Sequence, residues 1–190
     1  MSVDLGQHFL TDSEVLRDII TAADLQSDDV VLEIGPGKGV LTEELAKHVK
    51  RVIAVELDRT LVAELQKKFK SAKNVEIIHE DILRWWPQQN LNIEIFKHLK
   101  IVANIPYRIT APILRLFLEH ELHPNLLVLM VQKEVAERVC AKPGAMSLLS
   151  VSVQYYATPE IVRIVPRTAF NPAPKVDSAI LKIIPFKRHD

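Results

Sequence analysis

The stretch from Val30 to Ala46 restricts the fold more than any other. Val30-Val31-Leu32-Glu33-Ile34 has the apolar, β-branched pattern of a buried strand, Gly35-Pro36-Gly37-Lys38-Gly39 is a glycine turn, and Leu41-Thr42-Glu43-Glu44-Leu45-Ala46 reads as a helix. Glycines there let the backbone pass close to a ligand, and the open N–H groups of the helix face it. The next strand, Arg51-Val52-Ile53-Ala54-Val55, ends in Glu56-Leu57-Asp58, and a third, Asn74 to Ile78, ends in Glu80-Asp81-Ile82. An acid at the second strand end is placed to accept both hydroxyls of a ribose. At the third, Asp81 can read an adenine amino group beside an apolar Ile82 wall. Three consecutive strand ends carrying ligand-type residues are far harder to explain by structure alone than any one of them.

Two cofactor classes fit a strand, glycine turn and helix followed by a ribose-binding acid: nicotinamide dinucleotides and S-adenosylmethionine. A dinucleotide site wants Gly-x-Gly-x-x-Gly, with the pyrophosphate on the helix N-terminus. Here the turn is Gly-Pro-Gly-Lys-Gly, and Glu33 stands just before it. That carboxylate repels a pyrophosphate but suits a cofactor carrying an ammonium and a sulfonium. The spacing therefore favours S-adenosylmethionine.

A fourth apolar run, Lys100-Ile101-Val102-Ala103, leads into Asn104-Ile105-Pro106-Tyr107, with a helical stretch from about Thr110. If the strand ends where the turn begins, these four residues sit at the carboxyl end of a sheet. The turn suits methylation of an amine whose lone pair is delocalised, such as the exocyclic N6 of adenine. The Asn104 side-chain oxygen and the Ile105 carbonyl can accept its two N–H bonds, Tyr107 offers a ring for stacking, and Pro106 fixes the backbone so that these groups converge. An ordinary strand-ending turn uses the same residue types.

Composition sets the outer bounds. With 190 residues, 48% hydrophobic and 25% charged, the chain suits one globular domain, and 24 basic against 24 acidic residues leave no global field to draw it to nucleic acid. Any RNA contact must come from local patches. The single cysteine, Cys140, excludes an intrachain disulfide and a multi-cysteine zinc site, and no metal is expected. The sequence has neither a signal-peptide pattern nor a membrane-spanning apolar run, which makes a cytoplasmic location the default.

The remaining segments read as follows. Gly6-Gln7-His8-Phe9-Leu10 has no propensity logic as strand or helix, and is either a lid with one buried aromatic or a frayed terminus. Asp12 or Ser13 caps a helix with Val15, Leu16, Ile19 and Ile20 on its apolar side. Arg84 to Asn90 reads as a loop in which at least one of Trp85 and Trp86 caps the core. Ile113 to Leu118 is an amphipathic helix, Leu126 to Val131 a buried strand, and Gln132 to Arg138 a helix with a solvated charged face. Leu148 to Tyr156 is helical or extended. Two further strands, Ile161 to Val165 and Ala179 to Ile184, flank Phe170-Asn171-Pro172-Ala173-Pro174-Lys175-Val176-Asp177-Ser178, a loop stiffened by prolines. Phe170 either covers the far face of a base opposite Tyr107 or pins this loop into the core.

Taken together in this order, these motifs resemble the ribosomal RNA adenine N6-dimethyltransferases, the group holding the bacterial KsgA-type small-subunit enzymes, their archaeal and eukaryotic counterparts, and the erythromycin-resistance methylases. The match runs from Gly6 to about Pro185 and includes Gln132-Lys133-Glu134-Val135. The resemblance implies an α/β, class I S-adenosylmethionine-dependent methyltransferase fold. This is a Rossmann-like seven-stranded sheet, mostly parallel with the last strand antiparallel, and helices on both faces. It implies that His8, Leu10, Gly35, Glu56, Asp81 and Asn104 line the S-adenosylmethionine site, with Gln7, Gly37, Leu57 and Ile82 beside them. Asn104, Tyr107 and Phe170 would hold the target adenine, with Ile105 and Pro106 shaping the turn. It further implies two successive methyl transfers to a base drawn out of its stack.

The expected chain is one methyltransferase catalytic domain over 1–190, with a lid segment and helix in 1–29 and the Rossmann-like core in 30–190. Family members usually continue into a small helical domain, often begin with a basic stretch, and carry a Tyr-Gly pair where this chain has Ala145-Met146-Ser147; all three departures bear on RNA contact rather than on chemistry. The expected function is N6,N6-dimethylation of adenosines in small-subunit ribosomal RNA during ribosome biogenesis, by a monomer acting on an assembly particle without membrane or metal. The competing readings are a large-subunit methylase of the macrolide-resistance type and a non-catalytic assembly or RNA-binding factor. A DNA adenine or protein amide methyltransferase shares Asn-x-Pro-Tyr but is not expected to carry the Phe170 to Ser178 segment.

Overall fold

Runs of apolar, branched residues that alternate with helices have one economical solution: a parallel sheet covered on both faces. The computed structural model describes residues 8–89, 98–119 and 124–186. In chain order it contains β1 (Phe9–Leu10), α1 (Ser13–Ala23), β2 (Val30–Ile34), α2 (Val40–Leu45), β3 (Arg51–Glu56), α3 (Arg59–Lys68), β4 (Val75–His79) and α4 (Ile82–Trp85). There follow β5 (Leu99–Asn104), α5 (Thr110–Leu118), β6 (Leu126–Gln132), α6 (Lys133–Val139), α7 (Leu148–Tyr156), β7 (Ala157–Val165), β8 (Phe170–Asn171) and β9 (Ser178–Pro185).

Seven of these strands form one sheet in the order β4-β3-β2-β5-β6-β9-β7. Pairing is parallel from β4 through β6, and β9 runs antiparallel between β6 and β7. This is the expected class I methyltransferase sheet, with its last strand reversed. The central strands are buried on both faces, which is why β2 and β6 read as nearly unbroken apolar runs. Alternate residues feed two cores: Ile101 and Ala103 of β5 pack with Ile113, Phe117 and Val153 under α4 to α7, while Val102 packs with Val15, Ile19 and Leu45 under α1 and α2.

Several helix starts follow from single side chains. Asp12 caps α1 by accepting from Glu14 and Val15 N–H, Asp58 caps α3, and Ser147 with Ser150 forms a capping box that settles Leu148–Tyr156 as a helix.

Three expectations need correcting. Phe9–Leu10 is a strand, pairing antiparallel with Phe170–Asn171, a partner too distant in sequence for local propensity to announce. The stretch after Asp81 is helical rather than a loop: α4 passes into a 3-10 turn at Trp86–Gln88, and Trp86 is buried against Phe117 with ring centroids 4.9 Å apart. Strand β7 begins at Ala157, four residues earlier than expected, because Pro159 sits on an edge strand where the missing N–H costs no ladder bond. Gly6, Gln7, Asn90 and the polar tail 187–190 lie outside the described residues.

At the amino edge, Lys100 spans the start of the sheet. Its ammonium pairs with Asp29 Oδ2 at 2.8 Å and also donates to the Asp24 carbonyl, with both ionic side chains almost wholly buried. Asp28, Asp29 and His98 gather at this edge, where Asp28 pairs with His98 at 3.1 Å. Removing one member of a buried pair strands the other charge. Lys100→Met should therefore lower unfolding free energy by about 3 kcal/mol in urea titration, with the ligand-type residues at the opposite edge unaffected.

Candidate active site

The chain reverses direction across the sheet between β2 and β5. Strand β2 is followed by α2 on one face and β5 by α5 on the other, so the two loops part at the carboxyl edge and leave a crevice. Into it opens a cavity of about 200 Å³. From β2 come Glu33, Gly35 and Gly37; from β3, Glu56 and Leu57; from β4, Asp81 and Ile82; from β5, Asn104, Ile105, Pro106 and Tyr107; and from the N-terminal segment, His8 and Leu10. Every expected site residue within the described segments is thus gathered here except Phe170. Gln7 lies outside those segments.

The glycine turn is shaped by its neighbours. Gly37 has φ +59, and a Cβ there would stand 3.0 Å from the Phe9 ring, so the lid residue rests directly on the turn. Lys38 caps the same ring, its ammonium 4.8 Å from the centroid.

The acids differ in how they are held. Glu56 accepts three backbone N–H bonds: Leu57 and Asp58 to Oε1, both at 2.9 Å, and Gly37 to Oε2 at 3.2 Å. One carboxylate thereby locks the end of β3 to the glycine turn. Asp81 caps α4 through Oδ1, accepting from Leu83 N–H at 3.0 Å, and no described residue donates to its Oδ2. Glu33 is 1% exposed, and neither its Oε2 nor the Thr42 hydroxyl has a hydrogen-bond partner among the described residues. Burial pushes the Glu33 carboxyl up to about 8; the approach of Thr42, which stops short of hydrogen-bond geometry, draws it down, and the Glu56 charge adds to the rise.

At the end of β5, Asn104 Nδ2 donates to the His8 carbonyl at 3.1 Å. A carbonyl only accepts, so the amide nitrogen must face it and Oδ1 is the atom left to accept. No described residue donates to Oδ1 or to the Ile105 carbonyl. The His8 ring stands 6.1 Å from the Tyr107 ring at 26°, and its Nδ1 donates to the Pro172 carbonyl at 2.8 Å. His8 to Leu10 therefore run along the wall of the cavity, tied on one side to Asn104 and on the other to β8 and Pro172.

Phe170 does not reach the cavity. Its pairing with Leu10 turns the ring into the core beneath α1, where it is 4% exposed among Val15, Ile19 and Ala169. In this structure its burial matches the reading in which the ring pins its own loop into the core. Sequence reasoning missed Lys38, Arg108 and Ile109, which also line the cavity, and gave no role to Phe9 beyond burial. All four lie inside or beside motifs already singled out.

Comparison with known proteins bears on this geometry. The family model described as Ribosomal RNA adenine dimethylase matches residues 2–190. The chain belongs to the ribosomal RNA adenine dimethylase family. It is 54% identical over 179 residues to ribosomal RNA small subunit methyltransferase A of Dehalococcoides mccartyi strain 195, a match covering 94% of this chain and 61% of that protein. Among solved structures, a dimethyladenosine transferase from Plasmodium falciparum superposes with TM-score 0.82 at 36% identity, over 94% of this chain and 64% of that one. The 23S rRNA methyltransferase ErmE gives 0.83 at 33%, over 95% and 70%. The chain spans about three-fifths of the length of the curated relatives it matches.

Glu33 gives this family member a pH signature. An unfolded Glu loses its proton near 4.5 and the buried one near 8, so between those values the unfolded chain holds one proton fewer and stability falls as pH rises. The Glu33 contribution should approach a loss of about 1.4 kcal/mol per pH unit across that window. Denaturant titrations of wild type and Glu33→Gln from pH 5 to 8 should show this slope disappearing in the variant; parallel curves would mean that Glu33 is ionised in the folded protein.

Proposed function

We propose that the chain catalyses S-adenosylmethionine-dependent N6,N6-dimethylation of adenosine in small-subunit ribosomal RNA. It would act as a single catalytic domain, a monomer in the cytoplasm, on an assembling subunit whose shape contributes to recognition. The observation that carries this reading is the Asn104 amide: its nitrogen is tied to His8, its oxygen is claimed by no described residue, and it stands at the strand-order reversal beside the glycine turn. The 54% identity to a small-subunit methyltransferase favours the small over the large subunit, although ErmE shares the fold equally well.

The residues fit S-adenosylmethionine by their own chemistry. Four acids, Glu33, Glu56, Glu80 and Asp81, line the cavity, an environment hostile to a pyrophosphate and favourable to a cation. Glu33, held protonated by burial, is favoured to ionise when an ammonium or sulfonium approaches. Glu56 has about four lone-pair sites with three taken, so one ribose hydroxyl can bind directly and a second by displacing Gly37 N–H, the longest of the three bonds. Asp81 offers Oδ2 to an adenine amino group beside the Ile82 wall.

Bound there, the cofactor supplies an electrophilic methyl group on a sulfonium. The protein's part is positioning. Asn104 Oδ1 and the Ile105 carbonyl accept the two N–H bonds of the target amine, turning its lone pair toward the methyl, while the Tyr107 ring supports the base. As the C–N bond forms, the methyl's bond to sulfur would break to leave a neutral thioether, and the nitrogen would then give its proton to water. The monomethylated amine keeps one N–H and can be held again for a second transfer.

Incubating the chain with labelled S-adenosylmethionine and small or large ribosomal subunits lacking adenine dimethylation, then identifying the labelled nucleoside, tests the proposal. Label is expected in N6,N6-dimethyladenosine from small subunits; label confined to large subunits would move the target. No label on either, with calorimetric cofactor binding intact, would count against the enzyme reading in favour of a non-catalytic assembly factor. Asn104→Ala should keep most of the cofactor affinity yet lower methyl transfer about a hundredfold or more; near-normal turnover would remove Asn104 from the acceptor site. Glu56→Ala should weaken cofactor binding in the same calorimeter, and unchanged affinity would place the ribose elsewhere.

A further inference from the structure

Tyr107 has an anchor that the methyl-transfer geometry does not itself require. Its hydroxyl lies 2.7 Å from Ser178 Oγ, across 71 residues of sequence. Ser178 is wholly buried and opens β9, where its backbone pairs with Gln132 of β6 on one side and Val165 of β7 on the other. A residue held in two ladders cannot shift without disturbing both, so its hydroxyl is a fixed point. The antiparallel direction of β9 brings it here, because only a reversed strand begins at the edge where the parallel strands end.

The choice of serine is informative. At an ordinary β9 position alanine would keep both ladders without burying a hydroxyl, and an unpartnered buried hydroxyl costs about 1–3 kcal/mol. The phenol is the partner that makes serine tolerable. Tyr107 itself is otherwise loosely held: it opens a single 3-10 turn, the Thr110 hydroxyl fixes only its carbonyl, and His8, which flanks its ring, belongs to the lid. Burial keeps the phenol neutral, with its pKa raised.

We propose that Ser178 is a positioning residue for the acceptor base: by holding the Tyr107 hydroxyl it sets the tilt of the ring against which the adenine stacks. This rests on the adenine methyltransferase reading. The demand is greatest in the second transfer, when the amine already carries one methyl and offers a single N–H to Asn104 or Ile105. A ring free to tilt then lets the monomethylated base rotate out of line.

The test compares wild type, Ser178→Ala, Tyr107→Phe and the double variant. The readouts are S-adenosylmethionine affinity, thermal midpoint, single-turnover rate, and the ratio of mono- to dimethyladenosine formed on small subunits. Ser178→Ala should remain folded and bind the cofactor normally, yet turn over about tenfold more slowly with monomethyladenosine accumulating. Tyr107→Phe should match it, and the double variant should be no worse than either, the non-additivity of one shared interaction. Wild-type rate and product ratio in Ser178→Ala, or losses that multiply in the double variant, would overturn the positioning role while the enzyme reading stands. No adenosine methylation by the wild-type chain overturns both.

Discussion

Between β2 and β5 neighbouring strands send their following helices to opposite faces of the sheet, and a gap must open where the two loops diverge. The ligand-type residues at the strand ends, with Asn104 to Tyr107, are gathered around that gap. The glycine turn forms one lip and Asn104 to Tyr107 the other, and a Cβ on Gly35 would stand 3.6 Å from Pro106, so the lips are in near contact at their base. Farther along the edge, β3 and β4 contribute Glu56 and Asp81 from successive strand ends, and β9, running backwards, places the buried Ser178 behind Tyr107. One topological feature therefore collects residues from across the whole chain into a single cavity.

Polar groups in this cavity are held mostly by backbone rather than by one another. Glu56 takes three N–H groups, Asp81 caps a helix, and Asn104 donates to a carbonyl. Such bonds fix side-chain direction while leaving particular lone pairs unclaimed, which is what a site that binds donors needs. Glu33 is the exception: it is buried, its Oε2 has no hydrogen-bond partner among the described residues, and its raised pKa makes the stability of the ligand-free protein fall as pH rises toward 8. The overall formal charge is zero, so any attraction of the cavity for a cation comes from its local acids and not from a field around the whole molecule.

Much of this could be read from the sequence because the informative residues are ones that ordinary strand ends do not require. Gly35-Pro36-Gly37, Glu56, Asp81 and Asn104 to Tyr107 each follow an apolar run, and a run of five or six such residues fixes where the strand must stop. Contacts made over long sequence distances left no such trace. The β1–β8 pairing joins Phe9 to Asn171, the Tyr107 bond reaches Ser178, and Trp86 finds Phe117 only when α4 and α5 pack together. Phe170 shows the difference: its motif was legible, but which way its ring turns depends on a partner strand that propensity did not foresee. Pro159 concealed the start of β7 for a related reason, since whether a proline is tolerated depends on the strand lying at the sheet edge.

A crystal structure of the chain with S-adenosylmethionine or its demethylated product most directly tests whether the strand-order reversal is the site of chemistry. The expected result is a nucleoside lying across the carboxyl edge, its ribose hydroxyls within about 3 Å of the Glu56 carboxylate, its adenine amino group at Asp81, and its sulfur facing Asn104. A ligand bound away from the β2–β5 gap, or one in the gap whose ribose makes no contact with Glu56, would contradict it.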